Sequence, residues 1–126
     1  MRFNAKKKII DGITFDSGRE AARYEELKLL QLAGEIRNLK CHTRYPLKIG
    51  EVPIKIRSDR CPNGRPVMYT DDFSYEEKVM WYPNGEERFM AWGEVVEDVK
   101  GYDAPIARLR RAVWEACYGQ QIRIVK

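Results

Sequence analysis

The sequence predicts an α/β domain in which a mixed β-sheet is flanked by helices. Three observations predict it. A helix with recognisable ends spans 17–33, residues from Leu39 onward alternate in polarity with period two, and a second helix over 105–118 runs into a short β-rich segment, QIRIV. A chain of 126 residues builds one core and hardly two, so a single domain over 1–126 is expected.

The elements follow in order. KKIIDGITF sets Asp11-Gly12 between two β-rich runs, a hairpin signal. Ser17 opens the first helix and Gly34 closes it. Its apolar residues lie on two sides, Ala22, Leu29 and Ala33 on one, Tyr24 and Leu27 nearly opposite. Such a helix is expected to touch two partners, the sheet and another subunit. Leu39, Cys41, Thr43, Tyr45 and Leu47 alternate with Lys40, His42, Arg44, Pro46 and Lys48, a half-buried strand with a basic outer side. Pro46 places it at an edge or a bulge. RCPNGRP and YPNGEE are turn chemistry, which predicts further strands near 65–76 and 88–100. In the second helix Ile106, Leu109, Val113 and Cys117 form an apolar stripe opposite Arg108, Arg111 and Glu115. Gly119 ends it, and a strand–helix–strand unit of this length implies parallel strands with a right-handed crossover. The predicted order is helix, three strands, helix, strand.

Composition narrows the function. No apolar run approaches the ~20 residues of a membrane span. The basic start, MRFNAKKKII, lacks the apolar core and cleavage site of a secretory signal. A soluble, cytoplasmic protein is expected. Cys41, Cys61 and Cys117 lack the paired short spacings of a zinc site, and His42 is the only histidine. The cysteines read as reduced thiols, Cys117 as core packing. Net charge is +4, from 23 Lys+Arg against 19 Asp+Glu, so distribution matters more than the sum. Lys6, Lys7 and Lys8 cluster near one end and Arg108, Arg110 and Arg111 near the other, footholds for a polyanion or simply a solvated surface.

The chemistry lies in TDDF and VEDVKG. Residues two apart on a strand share a face, so Asp98 and Lys100 project together while Val95, Glu97 and Val99 point away. Asp72 lies on the preceding strand, and two carboxylates a few ångströms apart repel unless a proton or a cation sits between them. A hard divalent ion with oxygen ligands resolves that conflict, magnesium or manganese being the natural candidates. A lysine beside a metal-activated water suits phosphodiester hydrolysis. D-x-K alone is weak evidence, since an exposed cross-strand pair also explains it. Glu20 has two competing readings: Ser17-x-x-Glu20 fits a capping box, and a carboxylate there also becomes a ligand if the helix start lies over Asp72 and Asp98.

Glu20 at a helix start, YTDDF before a turn, EDVKG, a basic helix and a short IRIV strand together resemble the PD-(D/E)xK nucleases. Within them the likeness is to the small phage and archaeal Holliday junction resolvases of the endonuclease I type, from about Ile9 to Val125. The resemblance implies a restriction-endonuclease-like αβββαβ core. It implies Mg2+, with Mn2+ as a substitute, held by Glu20, Asp72, Asp98 and the carbonyl of Val99, with Lys100 as the catalytic lysine. It also implies a phage-encoded origin in a bacterial host. The proline of the motif name is absent, Asp71 preceding Asp72, and a long insertion separates the two acids. If that hairpin re-registers the strands, Glu97 or Asp71 takes a neighbour's place; parity favours Asp98.

No helix-turn-helix or zinc finger is visible, so the protein is expected to grip phosphates and read shape. Cutting a four-way DNA junction needs two symmetric incisions, which a homodimer supplies without a membrane or a small-molecule cofactor. Candidates for phosphate contact are Lys6, Lys7, Lys8, Arg19, Arg23, His42, Arg44, Arg108 and Arg111. Trp81, Tyr82 and Trp92 are expected to pack against their own sheet or to line the dimer interface. The rivals are a nicking or repair nuclease without junction preference and a non-catalytic nucleic-acid-binding protein.

Overall fold

A computed structural model describes residues 6–126. A hairpin comes first, β1 (Lys8–Ile10) and β2 (Ile13–Phe15), turned by Asp11 and Gly12 at φ 54° and 77°. Both central residues of a two-residue turn need positive φ, and Asp-Gly supplies it cheaply. α1 (Gly18–Leu32) follows, its Ser17 hydroxyl accepting the Glu20 amide at 3.2 Å. The next strands are β3 (Ile36–Cys41), β4 (Arg44–Pro46), β5 (Lys48–Ile49), β6 (Val52–Pro53), β7 (Lys55–Ser58), β8 (Cys61–Pro66) and β9 (Met68–Thr70). The chain continues as β10 (Phe73–Trp81), β11 (Arg88–Val99), α2 (Pro105–Tyr118) and β12 (Arg123–Val125).

The main sheet has the spatial order β12-β11-β10-β3, antiparallel throughout except for β12, which lies parallel to β11 after the α2 crossover. Along the chain its parts run α1, β3, β10, β11, α2, β12, the predicted sequence of types. The strand positions differ. The expected strand over 39–47 breaks at His42, which turns the chain at φ 56°, and β4 leaves the sheet to pair with β9. Polarity alternates on both sides of the break, so periodicity alone hides it. The strand expected near 65–76 breaks likewise at Asp71-Asp72, between β9 and β10. RCPNGRP is a strand and not a turn: β8 pairs with β7 around Asp59-Arg60. Gly64 (φ 91°) permits this, because a Cβ there would stand 2.8 Å from that of Lys55.

Both faces of the sheet are covered, as the unbroken burial of β11 from Val95 to Val99 records. Val95 and Val99 join Phe15, Ala21, Tyr24, Leu27, Phe73 and Tyr75 beneath α1. Val96 faces the opposite way, toward Leu47, Tyr69, Trp114 and Ile122 beneath α2. The outward side of α1, with Leu29 68% and Leu32 86% exposed, has no intrachain partner among the described residues. In α2 the expected stripe is rotated. Ile106 and Leu109 are exposed, whereas Trp114 is buried against Tyr45, Tyr69 and Tyr118 at centroid distances of 5.5, 6.0 and 5.2 Å. An indole buries far more apolar area than either aliphatic, so it sets the helix orientation and turns Arg111 inward. Cys117, expected in the core, is half-buried at its margin, its thiol donating to the Lys48 carbonyl at 2.9 Å.

Trp81 and Tyr82 do not pack on the sheet. β3 pairs with β10 only as far as Glu77, so the β10–β11 tip projects beyond the layer that would cover it. Trp92 is half-buried, with the Arg37 guanidinium 4.5 Å from its ring centroid. Among the described residues no helix is long and apolar enough to cross a membrane.

Candidate functional site

The two strand breaks create the site. Asp71 is fully buried and takes the Thr43 amide at 2.8 Å and the Tyr45 hydroxyl at 2.9 Å, while its own amide donates to the Thr43 carbonyl at 3.0 Å. Burial pushes its carboxyl up to about 6, against the opposing pull of those donors. This double clamp fixes the chain where β9 gives way to β10, and the next residue, Asp72, is carried to the end of β11. There the Val99 amide donates to Asp72 Oδ2 at 2.6 Å.

Asp72 meets acids on two flanks. On the first, ligand atoms of Glu20, His42 and Asp72 lie within 4.8 Å of one another, with His42 Nε2 3.8 Å from Glu20 Oε2. On the second, Asp98 acts on Asp72 and raises its carboxyl. Burial, then Asp98, then the charge of Glu20 raise Asp72 to about 8. Glu20 is raised as well, mainly by burial and by Asp16, with His42 opposing. Asp98 is 5% exposed at its side chain, with Lys100 Nζ at 3.1 Å, the Tyr69 hydroxyl donating at 3.1 Å and Arg111 at 3.6 Å.

At Glu20 the cap is incomplete. Only half the capping box forms: the Ser17 hydroxyl accepts the Glu20 amide, but Glu20 Oε2 is buried with no hydrogen-bond partner among the described residues. An unsatisfied buried carboxylate oxygen is costly, and either a proton or a cation would satisfy it. The donor set fits a hard ion. Two ligands of one Mg2+ stand at most about 4.2 Å apart, given bonds of 2.0–2.1 Å. A small side-chain adjustment therefore brings Glu20, His42 and Asp72 onto one centre; Asp98 lies outside that ligand group, held by Lys100, Tyr69 and Arg111.

The structure thus gathers Glu20, Asp72, Asp98 and Lys100 at the end of β11, and Val99 enters through its amide. His42 stands beside Glu20, within the ligand group. Its αL conformation holds the imidazole there, with the ring 5.7 Å from that of Phe15 and the His42 amide donating to the Asp72 carbonyl at 3.3 Å. The sequence reading missed Asp71, Tyr69 and Arg111 as the residues that position these acids. Tyr69 and Asp71 follow the same two-residue parity that paired Asp98 with Lys100, the one signal that pointed to them.

A family model described as "Protein of unknown function (DUF1064)" matches residues 1–126. The chain belongs to the DUF1064 family. No curated protein and no solved structure matches it.

The phosphate-contact candidates of this DUF1064 chain fall into two groups. Arg23 lies inside, its guanidinium on the fully buried Glu97 at 2.9 and 2.6 Å, where Tyr75 also donates. Arg111 is bound to Asp103 at 2.8 and 2.5 Å and is only 11% exposed. Both are occupied by carboxylates and are not available to a phosphate. A buried acid on one sheet face attracts a counter-charge, which sequence spacing does not reveal. Glu97 thereby has a structural role, on the face opposite Asp98. Lys6, Lys7, Lys8, Arg44 and Arg108 are exposed. Arg19 is exposed too and donates to the Lys100 carbonyl at 3.0 Å, bracing the strand end.

Proposed function

We propose that this protein is a divalent-metal-dependent endodeoxyribonuclease of PD-(D/E)xK type, with a restriction-endonuclease-like core, that cuts four-way DNA junctions as a homodimer. The observation that carries the reading is Glu20 Oε2, buried and without a hydrogen-bond partner among the described residues, facing Asp72 and His42 while Asp98 and Lys100 close the other flank. Glu20, Asp72, Asp98 and the Val99 carbonyl would hold Mg2+ or Mn2+, with His42 as a further donor. When bound, such an ion supplies an activated water and offsets charge on the attacked phosphate.

The chain's own groups do the rest. Asp98 holds the Lys100 ammonium beside the site, where its charge favours the phosphate's transition state. Tyr69 and Arg111 fix Asp98 from behind, so Lys100 is not drawn out of line. The Val99 amide keeps Asp72 directed at Glu20 and Asp98. The exposed α1 face at Leu29 and Leu32 supports a dimer, the arrangement that two symmetric incisions require.

Incubation of the protein and Mg2+ with a four-way junction and a matched linear duplex tests this. Paired cuts in the junction alone are expected. Equal cutting of both substrates would replace the junction claim with a general nicking activity. Binding without cutting, with Mg2+ and with Mn2+ in its place, would leave a non-catalytic binder and end the proposal.

A further inference from the structure

We propose that the groove between the β7–β8 ribbon and α2 is a second nucleic-acid subsite, holding the backbone of one DNA strand and directing it to Asp98 and Lys100. The inference rests on the nuclease reading only for what happens at the inner end of the groove.

Charge comes first. Arg44, Arg60, Arg65 and Arg110 line the groove, and no aspartate or glutamate does. None of the four is paired with a carboxylate within 4.0 Å among the described residues, whereas Arg23, Arg37, Arg88, Arg111 and Arg123 all are. Arg19, Arg57 and Arg108, outside the groove, lack such a pair as well; what sets the groove apart is that four such arginines line one cleft with no acid among them. Four converging guanidiniums repel one another, and a row of phosphates relieves that repulsion with bidentate contacts.

Continuity comes second. Met68, Thr70 and Arg110 line this groove and also the smaller cavity that contains Asp98 and Lys100. β9 forms the shared floor and leads directly into Asp71-Asp72. The β4–β9 register sets Arg44 opposite Thr70, two residues before Asp72. A strand lying on these arginines therefore arrives at the acidic site.

The ribbon supplies the third observation. β7 is exposed along its whole length, and β8 is exposed except at Cys61 and Gly64. Little of it serves the core, yet Lys55, Arg57, Arg60 and Arg65 outnumber its single acid, Asp59. The close approach at Gly64 gives it a defined shape. An ordered, basic, two-stranded arm beside a cleft suits a backbone clamp.

The test is binding of the full chain to a synthetic four-way DNA junction in EDTA, where no cleavage intervenes, over a salt series. Arg60→Gln with Arg65→Gln, and separately Arg110→Gln, should each weaken binding about fivefold or more per arginine near physiological salt. The log–log salt slope should fall by about one for each. Arg88→Gln, at the far hairpin tip, is the control and should bind like wild type. Cys61, in the groove wall, gives a local readout: bound junction should slow its reaction with a maleimide, located by peptide mapping. Wild-type affinity and slope in the groove variants, or unchanged Cys61 labelling, would overturn the subsite. Protection by poly-glutamate but not by DNA would overturn it in favour of an acidic protein partner. If wild type cuts no DNA but the groove variants still lose binding, the subsite stands and the nuclease reading falls.

Discussion

The Val99 amide donates to Asp72 Oδ2 at 2.6 Å, and this bond joins the chain break at 71–72 to the strand end that carries Asp98 and Lys100. A single strand cannot set acids so close, because neighbours along it point to opposite faces. Three elements are needed here: α1 for Glu20, the β9–β10 break for Asp72 and the end of β11 for Asp98. Their meeting concentrates negative charge where burial makes it costly, and the predictions follow from that cost.

Asp72→Asn is expected to reduce cleavage on the order of a thousandfold, the scale seen when one preorganised electrostatic group is removed. Junction binding should persist or tighten, because a charge that repels phosphate is gone. Single-turnover cleavage and a binding isotherm on the same preparation check both. Binding lost together with cleavage would place Asp72 in the fold rather than in the chemistry.

Metal-free stability should decline as pH rises from about 4 to 8. Asp72 is raised from 3.8 to about 8 and Glu20 is raised too, so in this window the folded chain binds more protons than the unfolded one. Stability must then fall with increasing pH. A bound cation substitutes for the proton and cancels the decline. At a hundredfold excess over its Kd, Mn2+ should add about 2.7 kcal/mol, a Tm rise on the order of 10 °C, at pH 8 and much less at pH 5. Thermal unfolding at the two pH values, with Mn2+ and with EDTA, measures it. Asp72→Asn should flatten the metal-free profile.

The sequence carried part of this arrangement and hid the rest for physical reasons. Two-residue parity places Asp98 with Lys100 and opposite Glu97, and the structure keeps that alternation through Val95–Val99. The order of helices and sheet strands was likewise legible, because end signals such as Ser17 and Gly119 are local. The breaks at His42 and Asp71-Asp72 were not, since alternation on both sides of each looks continuous. Nor was the fate of Arg23, because only the fold reveals the buried Glu97 that claims it. Helix α2 misled through the size of one residue: Trp114 outweighs a regular aliphatic stripe.

Arg23→Ala should destabilise the protein by about 3–5 kcal/mol, because Glu97 would remain buried with only Tyr75 to support its charge. The salt dependence of DNA binding should not change. Chemical denaturation and the salt slope separate the two effects. A lower slope with intact stability would restore Arg23 as a phosphate contact.

His42 offers a test of backbone against side chain. Asn adopts αL readily, so His42→Asn should hold Tm within a degree or two while weakening Mn2+ binding about tenfold. His42→Val puts a β-branched residue at φ 56° and should also cost about 1–2 kcal/mol of stability. Isothermal titration with Mn2+ and thermal melts of both variants give the comparison. Equal Mn2+ affinity in His42→Asn and wild type would remove the imidazole from the ligand group and leave the acids alone.

The dimer is tested on the outer face of α1. Leu29 and Leu32 are 68% and 86% exposed, a helix face that water solvates poorly and that a second copy would cover. Leu29→Glu with Leu32→Glu changes no contact with the buried side of the helix, so the fold should persist. Sedimentation should shift from dimer to monomer. Cleavage of a junction carried on a supercoiled plasmid should shift from paired incisions to single nicks, because both strands are then no longer cut within one encounter. A wild-type chain that sediments as a monomer at the concentrations where it makes paired cuts would mean that one subunit acts twice, and this face would lose its assigned role.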